Sequence, residues 1–174
     1  MKRTTNFSFK IGDRNLESYA LPPDDPLGEF SDFELGLRRF CYYCDRQLVV
    51  EIGDIKFAVF FDPDICMLLE DCFPEQIGEL EQGKSIRIDF AESYHITMIL
   101  TPIGEVVSCQ LRKFGYEQNY DDYELDKKQV LGELRRFLVE VMQLAIDRDY
   151  VTLEDREKFI APAFPEKVKS VIVV

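Results

Sequence analysis

The chain has 174 residues, 46% hydrophobic and 31% charged, which suits a single soluble domain with a core of its own. Its formal net charge of −12 repels nucleic-acid phosphates and anionic lipid and favours basic partners. No window approaches the roughly 18 apolar residues of a membrane span, and polar residues follow Lys2 and Arg3 where a secretory signal turns apolar, so a cytoplasmic protein is expected.

Residues 1–35 read as an irregular N-terminal arm of that domain. Within it "NFSFKIGDR" alternates as a strand does, with Phe7 and Phe9 on one face. "LPPDDPLGEFSD" reads as a loop, because its three prolines remove backbone donors and restrict the residues before them. Glu17 to Glu34 carries six acids and no base. Further on, "RQLVVEI" and "IKFAVFF" flank Gly53-Asp54, and glycine in the first turn position favours a hairpin with positive φ there. "DPDICMLLEDC" and "FPEQIGELEQG" predict two short helices. Asp62 before Pro63 matches an N-cap with proline at the first helical position, and Ile65, Leu68 and Leu69 recur at helical spacing. Pro74 opens the second helix and Gly83 stops it. This stretch, Asp62 to Glu81, carries seven acids and no base.

Three further strands are predicted from "SIRIDFA", "HITMILT" and "EVVSCQL", with Pro102-Ile103-Gly104 closing the hairpin between the last two; such short connections make the pairing antiparallel. "YEQNYDDYELD" then reads as the connector from the sheet to a long helix over roughly 126–147. Asp126, three residues before Gln129, supplies the cap. Val130, Leu134, Phe137, Leu138, Val141, Leu144 and Ala145 form one apolar stripe that must bury against the sheet. Thr152 with Asp155 starts a shorter helix that ends before Pro162, and "VKSVIVV" reads as an edge strand or a tail. The expected fold is α+β: one antiparallel sheet of about five strands, two short inserted helices and a long C-terminal helix on one face.

Candidates for chemistry are sparse. His95 is the only imidazole, so any Cys-His or Ser-His mechanism must use it. Register about a turn at Ile103 sets its partners near positions 110 to 112, leaving Cys109 diagonal at best. Cys41 and Cys44 have CxxC spacing, but a structural zinc needs four ligands, and the gap between Cys66 and Cys72 exceeds the usual one. If residues 34–44 are helical, Cys41 and Cys44 simply share a face. Five cysteines without a secretory signal read as free thiols. Carboxylates are plentiful, yet Asp62, Asp64, Glu70 and Asp71 single out no acid pair. Asp62-Pro63-Asp64 lacks the glycine and glutamate of a calcium loop. No phosphate loop, nucleophile elbow or metalloprotease motif occurs. No cofactor or metal is expected.

"YEQNYDDYELD" holds five acids, three tyrosines and no base. Tyrosines give large contact area at low rotamer cost and acids steer a basic partner, so a partner-binding surface is expected at Tyr116, Tyr120, Asp121, Asp122, Tyr123 and Glu124, joined by Asp62 and Asp64 of the second acidic block. The competing reading is a solvated connector whose tyrosines lap onto the helix.

The segment "FFDPDICMLLEDCFPEQIGELEQGKSIRIDFAESYHITMILTPIGEVVSCQLRKF" runs strand, D-P-D start, short helix, acidic glycine stop, strand ending in Asp-Phe, hairpin. In this order it resembles small immunity proteins of bacterial polymorphic toxin systems, over roughly residues 45–145. The resemblance implies an α+β protein that binds and neutralises a cognate toxin without catalysis, and it carries over no functional residues. Three readings follow: a binding module or inhibitor for a basic partner, a small hydrolase using His95 or clustered carboxylates, and a structural metal protein using Cys41 and Cys44.

Overall fold

The structure is a computed structural model and describes residues 5–13, 22–93, 95–113 and 120–166. Its elements follow in chain order as β1 (Phe7–Gly12), α1 (Asp32–Tyr43), β2 (Gln47–Ile52), β3 (Ile55–Phe60), α2 (Cys66–Glu70), α3 (Phe73–Glu81), β4 (Ile86–Phe90), β5 (Ile96–Ile103), β6 (Val106–Lys113), β7 (Tyr120–Asp126), α4 (Lys127–Asp147) and α5 (Leu153–Ile160). The fold is α+β, but the expected single sheet of about five strands is two antiparallel sheets, of order β1-β2-β3 and β4-β5-β6-β7. The strand read within the N-terminal arm joins the first sheet as β1, and the expected connector adds a further strand, β7, to the second. The sheets separate after β3 because the chain there leaves into α2 and α3 instead of turning back.

Turn chemistry fixes the hairpins. Ile52 pairs with Ile55 and Ile103 with Val106, so both loops have two residues and both begin with a glycine, Gly53 at φ +61° and Gly104 at φ +62°. The first was expected. The second lies one to two residues later than the expected Pro102-Ile103-Gly104 turn, because Pro102 and Ile103 remain in the strand opposite Val107 and Val106.

The N-terminal arm is likewise structured. Phe7 and Phe9 are buried in β1, which pairs with β2 from Phe7↔Ile52 to Gly12↔Gln47. Ser31 caps α1 in a reciprocal box with Glu34: the Glu34 N–H donates to Ser31 Oγ at 3.2 Å and the Ser31 N–H to Glu34 Oε2 at 2.8 Å. Just before β1, Thr5 pairs in parallel with Leu125 of β7, and the Asn6 carbonyl accepts the Gly53 N–H at 2.9 Å. These two residues lace the sheets together.

The core is phenylalanine-rich. Phe137 of α4 meets Phe9 edge-on with ring centroids 4.9 Å apart and touches Phe73 and Phe61, while Phe57 and Phe90 bring the sheets together at 5.9 Å. Edge-to-face pairs of this kind contribute about 0.5–1.5 kcal/mol beyond the area they bury. The helix stripe behaves as its spacing predicts: Val130, Leu134, Phe137, Leu138, Val141 and Ala145 are buried, and Leu144 packs partly buried against them. Asp126 caps α4 by accepting the Gln129 N–H at 2.8 Å. The Gln129 side chain, instead of closing a box, donates to Asn6 at 2.8 Å, and Glu133 accepts the Phe9 N–H at 3.0 Å. Side chains of α4 thus take up a donor on the open edge of β1, where a bare edge invites unwanted pairing. Thr152 caps α5 through the Asp155 N–H. "VKSVIVV" lies outside the described residues.

Candidate protein-binding surface

The expected connector is a strand. Tyr120 opens β7, which runs along β6 with Asp121 opposite Leu111, Asp122 opposite Gln110, Tyr123 opposite Cys109 and Glu124 opposite Ser108. Leu125 is buried and Tyr123 half-buried, on the face turned to the core, while Asp122 and Glu124 alternate onto the outer face. Tyr116 lies outside the described residues. β7 is an edge strand, and the Thr5 N–H reaches the Glu124 carbonyl from outside at 2.8 Å. Strand alternation then turns the N–H and C=O of Asp122 outward as well.

On the outer face, Arg112 donates to Gln110 at 2.8 Å and Gln110 to Asp122 at 3.4 Å, a polar ladder across β6 and β7. Beside it lies a depression of about 360 Å³ lined by Ile103, Val106, Tyr123, Asp122 and Glu124. Ile103 is 62% exposed, an apolar surface at the foot of an acidic rim. Burial, then the charges of Asp121 and Asp54, pushes the Tyr123 phenol up, so its hydroxyl stays a hydrogen-bond donor at neutral pH. Apolar floor, aromatic wall and charged rim are the parts from which protein interfaces are built.

The second acidic block stands elsewhere. β4, which α3 adjoins, is the opposite edge of the same sheet, three strand spacings or about 14 Å from β7. The expected joint surface is therefore divided in two. Asp64 cannot meet a partner at all: it is 1% exposed and accepts the backbone N–H groups of Glu92 at 3.1 Å and Ser93 at 2.7 Å. Asp62 stands where the expected cap was read: it has extended dihedrals (φ −108°, ψ 119°), and residues 63–65 after it are helical and run on into α2. Partial burial raises its carboxyl above the ordinary carboxylate value.

The His95–Cys109 pair is separated in the fold. Ile96 pairs with Lys113 and Leu100 with Cys109, so His95 sits at the far end of the hairpin from Cys109. The expected register was displaced by the later turn. Burial, then the Asp122 charge, pushes the Cys109 thiol up to about 12, the reverse of an activated nucleophile. Cys41 is buried in α1, where a hydrogen bond with Cys66 and burial push its thiol well up; Cys44 is half-buried and Cys72 exposed. The conditional helix over 34–44 stops one residue short: Cys41 lies in α1, and Cys44 is its C-cap with extended dihedrals. Among the described residues no three His, Cys, Asp or Glu side chains are grouped as a metal site needs, and no helix is long and apolar enough to cross a membrane.

No protein-family model, curated protein or solved structure matches this chain. Sequence reasoning passed over Thr5, Ile103 and Val106. The last two were legible as hairpin residues flanking a glycine, but only the register brings them beside Tyr123.

Proposed function

We propose that the chain is a non-catalytic, acidic protein-binding module of the cytoplasm that engages a basic protein partner through β7. The observation that carries this reading is the depression beside Tyr123, in which apolar Ile103 and Val106 are rimmed by Asp122 and Glu124 on an edge strand crossed by Thr5. The acids raise the encounter rate with a basic surface, and the aromatic and apolar residues hold the complex once formed. An immunity-type inhibitor that neutralises a basic toxin is the specific form of this proposal, supported by the order of elements through residues 60–114. The net charge of −12 suits such a partner and disfavours nucleic acid. Capture from native lysate at low and high salt, with the parent and an Asp121→Asn/Asp122→Asn variant, tests it. A basic polypeptide retained by the parent at low salt and lost with the variant is expected. No basic polypeptide on the parent, or equal retention by both, overturns it.

A further inference from the structure

We propose that a groove between β4 and the corner joining α2 to α3 receives an extended, lysine- or arginine-bearing segment of a protein partner as an added strand on the free edge of β4. The site goes beyond the β7 surface and lies on the opposite edge of the sheet.

The groove has a volume of about 670 Å³, with Arg87 and Asp89 of β4 on one side and Met67, Asp71, Cys72 and Gln76 on the other. Ile86, Ile88 and Phe90 turn into the core, so β4 is anchored from below and its outer edge is a fixed template. Among the described residues, β4 pairs with a strand, β5, on one side only. Alternate N–H and C=O groups of β4 project from the side away from β5, and a strand edge without a partner strand beside a cleft is the arrangement to which extended peptides add.

Charge selects the occupant. The helical wall belongs to the run from Asp62 to Glu81, with seven acids and no base. Among the described residues that line the groove, Arg87 alone is basic, and Asp89 holds its guanidinium at 2.9 and 3.0 Å. A basic segment meets Asp71, beside a Glu70 that Arg38 already holds at 2.6 Å, whereas the groove's own cation, Arg87, is occupied by Asp89 and offers an acidic segment little. Met67, 46% exposed, gives an aliphatic side chain of the added strand a contact. Alternating basic and aliphatic residues match an edge with one polar and one apolar border.

Cys72 reports on the site, because it lines the groove and is exposed whereas Cys41, Cys66 and Cys109 are buried. The test follows maleimide alkylation of the whole protein, resolved by cysteine with peptide mapping. The probe is a short blocked peptide of alternating lysine and valine. With the peptide at about ten times its dissociation constant, alkylation of Cys72 is expected to slow about tenfold while that of half-buried Cys44 is unchanged. N-methylating one or the other alternate set of peptide amides is expected to remove the protection for one of the two sets. Absence of protection overturns the proposal. So does equal protection by both methylated peptides, which would mean charge attraction without strand addition. Protection that disappears with Asp121→Asn/Asp122→Asn would place the peptide on β7, and protection that grows with protein concentration alone would make a second copy the occupant; either result overturns the proposal too.

Discussion

β4 and β7 close the same sheet at opposite edges, and acidic sequence adjoins both, yet the acids do different work. Beside β4, Asp64 is buried and serves as a backbone acceptor that pins the turn after the strand. On β7, Asp121 and Asp122 are exposed, and the edge is held by Leu125 in the core and by Thr5 across it. One acidic residue type thus acts as internal scaffold at one edge and as solvent-facing charge at the other. The difference is burial: a carboxylate out of water must be fully hydrogen-bonded, whereas an exposed one contributes mainly through long-range field.

Substitutions can break this contrast, beginning where both edges depend on one element. Phe137→Ala removes the ring that meets Phe9, Phe73 and Phe61, and is expected to cost about 3–5 kcal/mol in denaturant unfolding. Hydrogen exchange at both edges should accelerate together; acceleration at β7 alone would show that the two edges do not depend on one cooperative core. Asp64→Ala is expected to cost about 2–3 kcal/mol, since the Glu92 and Ser93 N–H groups lose their acceptor in a buried place. A loss below about 0.5 kcal/mol would mean that water replaces the carboxylate, and the distinction between the edges would fall.

What the sequence disclosed follows the range over which each signal acts. The stripe of α4 is long and periodic, and a glycine-first two-residue turn is local, so both were legible. β1 was recognisable as a strand through Phe7 and Phe9, but its partner β2 lies beyond α1, and no local pattern announces that pairing. The start of α1 was written in Ser31 and Glu34, three residues apart, and was obscured by the prolines before it. β7 resembled a connector because an edge strand needs little apolar surface: Leu125 is buried, Tyr123 half-buried and Asp121 exposed on the same face. The burial of Asp64 was invisible, since its donors lie 28 and 29 residues further along the chain.

Between the two extremes stands Asp62, partly buried on the β4 side. Its raised carboxyl means that the folded protein binds a proton which the unfolded chain has already released. Stability from this group therefore falls as pH rises from the ordinary aspartate value of about 3.9 through the raised value, and the deficit persists above it. Asp62→Asn is expected to raise the melting temperature at neutral pH and to leave it unchanged near pH 3. A variant that is less stable than the parent at neutral pH would indicate that the charged carboxylate is favourably held, as Asp64 is.

The smallest effect on stability is expected at β7, and its smallness is what marks the edge as available for binding. Asp122 is exposed, and the hydrogen bond it receives from Gln110 is long, at 3.4 Å. Asp122→Asn keeps the acceptor oxygen and removes the charge, so unfolding free energy should change by no more than about 0.5 kcal/mol. Charge at a rim acts on encounter, so with a basic partner in hand the same variant should associate more slowly and with a shallower salt dependence, while its dissociation rate stays near the parent's. Tyr123→Ala should do the reverse, because the half-buried ring walls the depression and its loss speeds dissociation. If Asp122→Asn instead shifted stability and left association untouched, the carboxylate would be a structural acceptor like Asp64, and the two edges of the sheet would be alike.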